Sequence, residues 1–255
     1  PAIDEFFWAV GVNVVEGYGL TETSPVISVR PFANPIMGTV GKALRGLEVK
    51  IVGENGEILP PGKKGVVMVR GGTVMQGYYN KPELTAKAID KDGWFDTGDI
   101  GMLTVDGEIV LRGRMKDTIV LRGGENVEPL PIEMKITESR YVATAVVVGQ
   151  DERSLGALII PAEEEIKVYA RENYIPNTGT YSELLKHPEI KKLIDSEIAT
   201  LVNGKTGFKP FERISGFALL EKPFEVCVDL SAQQEIMRYK IADIYPKDIK
   251  SIYAE

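Results

Sequence analysis

The chain has 255 residues, of which 44% are hydrophobic and 26% charged, with a formal net charge of -7 at neutral pH. That balance describes a globular chain of one or two domains with enough apolar material for a buried core. It excludes a general nucleic-acid binder, because phosphate binding needs clustered positive charge and no dense Lys/Arg run occurs.

The single cysteine, Cys227, excludes an internal disulfide framework and a cysteine-based zinc cluster, and fits a reducing compartment. The single histidine, His187, lies in the polar stretch LKHPEIKK and reads as a solvated helix-start residue, which argues against a Ser-His-Asp triad or a multi-His metal site. No apolar run approaches the roughly 20 residues that span a bilayer.

The opening, PAIDEFFWAVGVNVV, has neither an initiator Met nor a basic lead-in. It is therefore not read as a signal peptide, and resembles the middle of a domain with an N-terminal portion expected before it. Residues 3–10 carry helical spacing, and residues 12–15 form a β-branched run, expected as a strand, that ends at Glu16-Gly17-Tyr18-Gly19. A strand entering a Gly-x-Gly turn ahead of Thr21 and Glu22 lets backbone come close to a flat or anionic ligand, since glycine has no Cβ. Thr21 suits a bond to a phosphate oxygen and Glu22 suits Mg²⁺. A plain turn followed by a Thr/Ser cap accounts for the same residues.

Short strands at 48–52, 65–69 and 108–111, separated by the turns Glu54-Asn55-Gly56-Glu57, Pro60-Pro61-Gly62 and Asp106-Gly107, predict an antiparallel sheet or small barrel. Gly71-Gly72 and residues 75–79 break that pattern, and residues 82–89 read as a short helix with Asn80 as its cap. Residues 92–101, DGWFDTGDIG, read as a turn rich in glycine and acid. A strand to Arg112 follows, then the charged joint Arg114-Met115-Lys116-Asp117, a β-branched run at 118–121 and a glycine turn at Gly123-Gly124.

An Asp and an Arg near such a joint can grip a polyhydroxylated ligand, because a carboxylate accepts hydrogen bonds from a diol and a guanidinium donates them. A hairpin with a solvated charged turn is the alternative. Beyond the joint the pattern becomes mixed α/β. A helix begins near Pro131, strands follow at 143–148 and 157–161, and helices at 163–172, 180–185 and 188–204. A last strand at 217–220 and a last helix at 233–244 complete it. The boundary falls within 113–117, giving domains of 1–112 and 113–255.

In order, these segments resemble the adenylate-forming superfamily, and within it the long-chain fatty acyl-CoA synthetases. Three motifs carry the resemblance: Tyr18-Gly19-Leu20-Thr21-Glu22-Thr23, Gly93-Trp94-Phe95-Asp96-Thr97-Gly98-Asp99, and Gly113-Arg114-Met115-Lys116-Asp117. The intervening stretches Gly77-Tyr78-Tyr79-Asn80-Lys81-Pro82-Glu83 and Gly123-Gly124-Glu125-Asn126-Val127-Glu128-Pro129 agree with it. The similarity covers nearly the whole chain and corresponds to about the C-terminal half of a family member.

The resemblance implies an α+β fold: the end of the large adenylation domain with a small antiparallel β-sheet or barrel subdomain, followed by a mobile α/β C-terminal domain. It implies ATP/AMP, Mg²⁺ and CoA as cofactors or substrates, with a fatty acid activated as its adenylate. Gly17, Tyr18 and Gly19 would line the adenine pocket, Thr21 would contact the α-phosphate and Glu22 would bind Mg²⁺. Asp99 would hold the ribose, assisted by Arg114 from across the pivot, and Lys116 would be the hinge.

The family's Gly/Ser/Thr-rich phosphate loop lies upstream of the residues present. Where it places a catalytic lysine, the stretch Ser231-Ala232-Gln233-Gln234-Glu235-Ile236-Met237-Arg238 puts Glu235, with Arg238 setting the alignment and Lys240 reachable by a register shift. That departure leaves a second implication open, a degenerate adenylate-binding or regulatory module. The expected setting is cytoplasmic, with room for peripheral contact at the inner face of a membrane.

Overall fold

The computed structural model describes residues 2–176, 179–232 and 235–254. The chain divides into two units, Pro1–Lys116 and Asp117–Glu255.

The first unit opens with helix α1 (Ala2–Ala9), whose Asp4 is buried against Arg30. Residues 12–15, expected as a strand, are irregular. The strand is β1 (Gly17–Gly19) instead, paired with β2 (Val26–Val29), which pairs in turn with β3 (Lys42–Ala43). Backbone pairing decides this: Gly17 pairs with Val29, Tyr18 with the buried Ser28 and, past an irregularity, Gly19 with Val26. Gly19 is required there for steric reasons. A Cβ would lie 1.7 Å from the carbonyl oxygen of Pro25. Gly19→Ala is therefore expected to destabilise the first unit by about 1–3 kcal/mol through overpacking, read as a fall in denaturant midpoint.

The next sheet is β4 (Leu47–Val52), β5 (Gly65–Gly71), β6 (Phe95–Leu103) and β7 (Ile109–Arg114), antiparallel and in that order. It is open, not a barrel: among the described residues β4 and β7 stay as edges, and residues 40–42 partly cover β7 through Val40 N–H to Ile109 O and Ile109 N–H to Gly41 O. Ile51, Val67, Val69 and Ile109 alternate inward and bury with Tyr18 and Ile27. The connection from β5 to β6 holds helix α2 (Pro82–Ala88). Asn80 is not its cap. It takes a left-handed φ of 54°, Lys81 is the N-cap residue, and the Thr85 hydroxyl accepts the Tyr78 N–H at 2.9 Å.

The second unit begins with the ribbon β8 (Ile119–Val120) and β9 (Asn126–Val127), turned at Gly124, and helix α3 (Pro129–Ile136). Strands β10 (Val142–Val148) and β11 (Leu155–Pro161) are antiparallel. Helices α4 (Glu163–Glu172), α5 (Tyr181–Leu185) and α6 (Pro188–Leu201) then cross over to β12 (Ile214–Leu219), which lies parallel to β11. His187 caps α6, its Nδ1 accepting the Glu189 N–H at 3.2 Å.

Every residue of β11 is buried because both faces of this sheet are covered. Ala157 and Ile159 join the cluster that includes α3, α4 and α6, while Leu158 and Ile160 face a second cluster with Ile241. The chain ends in α7 (Arg238–Ile244) and α8 (Pro246–Tyr253), the latter absent from the sequence-based expectation. Gly156 admits α8, since a Cβ there would lie 2.6 Å from Ile252 Cγ2. The helix expected at 233–244 starts only at Arg238, and Gln233 and Gln234 lie outside the described residues.

Candidate functional site

Residues 92–101, expected as a turn, lead into the nine-residue strand β6, and the irregularity behind that expectation is a bulge. Val66 pairs with Ile100 and Met68 with Asp96, so Val67 alone faces Thr97, Gly98 and Asp99. The surplus residues bend the strand. Gly98 meets the bend with φ +69°, its N–H held by Asp96 Oδ1 at 2.8 Å, while the Thr97 hydroxyl donates to Val67 O at 2.8 Å and accepts from Asp99 N–H at 3.1 Å. Two sides of the same peptide loop are thereby pinned, and the Asp99 side chain is aimed rather than free to swing.

Asp99 stands opposite Arg114 in the β6–β7 register, with Arg114 Nε 3.5 Å from Asp99 Oδ1. Both residues come from the first unit and neighbouring strands, so the expectation that they close from either side of a pivot is corrected. Tyr18, arriving on β1, donates its hydroxyl to Asp99 Oδ2 at 2.6 Å. Asp99 is buried, while the Arg114 side chain is 41% exposed and reaches solvent. Burial pushes the Asp99 carboxyl above the usual carboxylate range. The Tyr18 hydroxyl and the charges of Arg114 and Lys116 pull it down, and Asp96 adds to the rise. Burial and Asp99 drive the Tyr18 phenol far upward, so it remains a donor at physiological pH.

The 3-10 turn Thr21–Thr23 follows β1. Its capping duty falls to Thr23, buried and accepting the Leu20 N–H at 3.0 Å, while Thr21 faces solvent. The half-exposed Glu22 is anchored twice: its carbonyl accepts the Met75 N–H at 2.8 Å and its Oε1 accepts the Tyr78 hydroxyl at 3.0 Å. Among the described residues no group of three or more His, Cys, Asp or Glu side chains gathers to hold a metal. A lone anchored carboxylate does fit Mg²⁺ that arrives on a nucleotide, since that ion keeps waters and takes one or two carboxylates plus phosphates. Lys116, exposed, is the last residue of the first unit.

The remaining expected residues belong to the second unit. Glu235 is exposed in an irregular segment, its carbonyl accepting the Ser231 N–H at 2.8 Å and its N–H donating to the Ser231 hydroxyl at 3.2 Å, and it lies outside the helix expected there. Arg238 opens α7 and makes a short ion pair with the buried Glu133, whose other oxygen accepts the Val147 N–H at 2.7 Å. The Lys240 ammonium lies 5.9 Å from the Tyr239 ring centroid. Sequence reasoning assigned no role to Tyr78, Thr97 or Glu133. Tyr78 and Thr97 lay within the stretches 77–83 and 93–99, which was their only local signal.

Comparison with known proteins matches residues 1–79 to the AMP-binding enzyme model and residues 116–255 to the AMP-binding enzyme C-terminal domain model. The chain belongs to the AMP-binding enzymes. Among its relatives, the probable acyl-activating enzyme 16, chloroplastic, of Arabidopsis thaliana is 42% identical over 98% of this chain and 36% of its own length. The long-chain-fatty-acid–[acyl-carrier-protein] ligase AEE15, chloroplastic, of the same plant is 49% identical over 64% of this chain and 24% of its own length. The long-chain-fatty-acid–CoA ligase FadD15 of Mycobacterium bovis is 32% identical over 98% of this chain and 40% of its own. This AMP-binding chain thus spans well under half the length of those relatives. Its fold matches the solved O-succinylbenzoate Coenzyme A synthetase of Bacillus subtilis in complex with AMP, with a TM-score of 0.69 and 22% identity, over 94% of this chain and 43% of that one.

Proposed function

We propose that this chain supplies nucleotide-binding residues to a ligase that activates a long-chain fatty acid with ATP as the acyl-adenylate and passes the acyl group to a thiol. The observation that supports this best is the cluster of Tyr18, Asp99 and Arg114, a pinned carboxylate beside a cation at the bulge of β6. Asp99 accepts from the ribose hydroxyls with Arg114 assisting. Gly17, Tyr18 and Gly19 line the adenine pocket, which must abut the ribose as β1 abuts Asp99. Thr21 donates to the α-phosphate, and Glu22 holds Mg²⁺, which supplies charge neutralisation on the phosphates when bound.

In the first step a fatty carboxylate oxygen attacks the α-phosphorus and the bond to pyrophosphate breaks. Two anions must meet, so positioning and fixed positive charge carry the acceleration. In the second a thiolate attacks the acyl carbon and AMP leaves. Lys116 is the hinge about which the second unit moves between these steps.

The acceptor is read as CoA. A second acceptor, acyl carrier protein, is favoured by the 49% identity to the chloroplast ligase named for it. We place the reaction in the cytoplasm, in peripheral contact with the membrane that supplies the acid. The test is fatty-acid-dependent pyrophosphate release by the whole gene product, followed by acyl transfer to CoA and to acyl carrier protein in parallel. No release at any chain length would sink the reading.

Glu235 motivates the competing reading of a degenerate module. For a working ligase, Glu235→Lys in the whole gene product is expected to change the adenylation rate by less than about threefold, because the position is then irrelevant to turnover or another group serves. A gain of roughly 10²–10³-fold, the worth of one well-placed transition-state donor, would instead show that turnover had been lost.

A further inference from the structure

We infer that Tyr18 is a positioning residue for the nucleotide, its hydroxyl fixing the Asp99 carboxylate so that the remaining lone pairs face the ribose diol. The inference rests on the nucleotide reading above and deepens it.

The geometry is that of a rigid arm on a buried acid. The Tyr18 ring is packed in the core with Ile27, Val67 and Ile109, so its hydroxyl is presented at one place. That hydroxyl meets Asp99 Oδ2 at 2.6 Å, and Arg114 faces Oδ1. An ionised carboxylate offers about four acceptor sites. With one taken by the phenol and one by the guanidinium, about two are left, the number a ribose diol needs. Arg114 alone is a loose guide, since its side chain is 41% exposed and 3.5 Å away. The phenol is buried and shorter-bonded, and so sets the carboxylate's direction.

The arrangement also bears on ionisation. The groups facing Asp99 are Tyr18 from β1, Asp96 and Thr97 from its own strand, Arg114 from β7 and Lys116 just beyond. Burial and Asp96 favour the protonated acid, against which Tyr18, Arg114 and Lys116 act. Losing the phenol removes one of the three groups that keep Asp99 ionised, so AMP binding should fail at a higher pH as the solution is acidified.

The experiment is calorimetric titration of the whole gene product with AMP between about pH 5.5 and 8.5, well above the ordinary carboxylate range. Four proteins are compared: unsubstituted, Tyr18→Phe, Asp99→Asn and the double variant. Tyr18→Phe is expected to bind roughly tenfold more weakly at neutral pH, the worth of one hydrogen bond to a charged group, and weaker still as pH falls. The double variant should bind no more weakly than Asp99→Asn, because the hydroxyl acts only through that carboxylate, while the ring beside the adenine pocket is retained in Phe. Should the phenol prove necessary for folding, an excluded osmolyte restores the folded variant for the same titrations.

Tyr18→Phe binding like the unsubstituted chain across the range, or a full additional tenfold loss in the double variant, overturns the role of Tyr18 alone. An unsubstituted whole gene product that binds no AMP overturns the nucleotide reading itself, and the role of Tyr18 with it.

Discussion

Asp4→Ala is expected to destabilise the first unit by about 3–5 kcal/mol, the cost of stranding a buried charge. Arg30 is 1% exposed, and its guanidinium grips Asp4 in a two-pronged pair, Nη1 to Oδ2 at 2.6 Å and Nη2 to Oδ1 at 2.7 Å. Nη2 also donates to Val14 O at 3.1 Å, tying the segment after α1 to the end of β2. Glu16 is the nearest other carboxylate, 3.9 Å from Nη1 and half-exposed, too far to take over both prongs. Removing Asp4 therefore leaves the cation without its main partner in a place water does not reach.

Replacing both members together, Asp4→Leu with Arg30→Met, is expected to recover most of the loss, because an apolar pair carries no desolvation cost. Denaturant unfolding read by tryptophan fluorescence reports this unit alone, since both tryptophans, Trp8 and Trp94, lie in it. An unchanged midpoint for Asp4→Ala would show the pair to be dispensable.

Asp99→Ala is expected to weaken AMP binding by roughly 10²–10⁴-fold, two hydrogen bonds to a charged acceptor at about 1.5–3 kcal/mol each. Arg114→Ala is expected to cost only about tenfold, because its side chain is half-exposed and Tyr18 still holds the acid. The ordering of the two losses is the informative result. Equal losses would place Arg114 on the nucleotide as directly as Asp99, and no loss in Asp99→Ala would remove the carboxylate from the site.

Much of the architecture was legible locally. The strands β4, β5, β10 and β11 announce themselves by β-branched runs, and α4 by its spacing and its opening acids. The turns at Gly56, Gly62, Gly107 and Gly124 adopt the left-handed φ that their glycines suggested. What misled was composition at the proposed site. The run Phe-Asp-Thr-Gly-Asp has the residues of a turn, and only its pairing with β5 and β7 makes it a strand with a bulge. Residues 12–15 show the reverse: β-branched residues with no partner strand among the described residues stay irregular.

By itself the sequence determined the order of the motifs, the β-branched runs of the larger strands and the residue types at the proposed nucleotide site, because these depend on neighbours a few positions apart. Tertiary structure alone decided which charges meet. Tyr18 reaches Asp99 across 81 residues, Arg238 reaches Glu133 across 105, and Arg30 reaches Asp4 across 26. No spacing rule encodes such pairs. They exist because packing leaves a buried polar atom no alternative to the partner that the fold delivers.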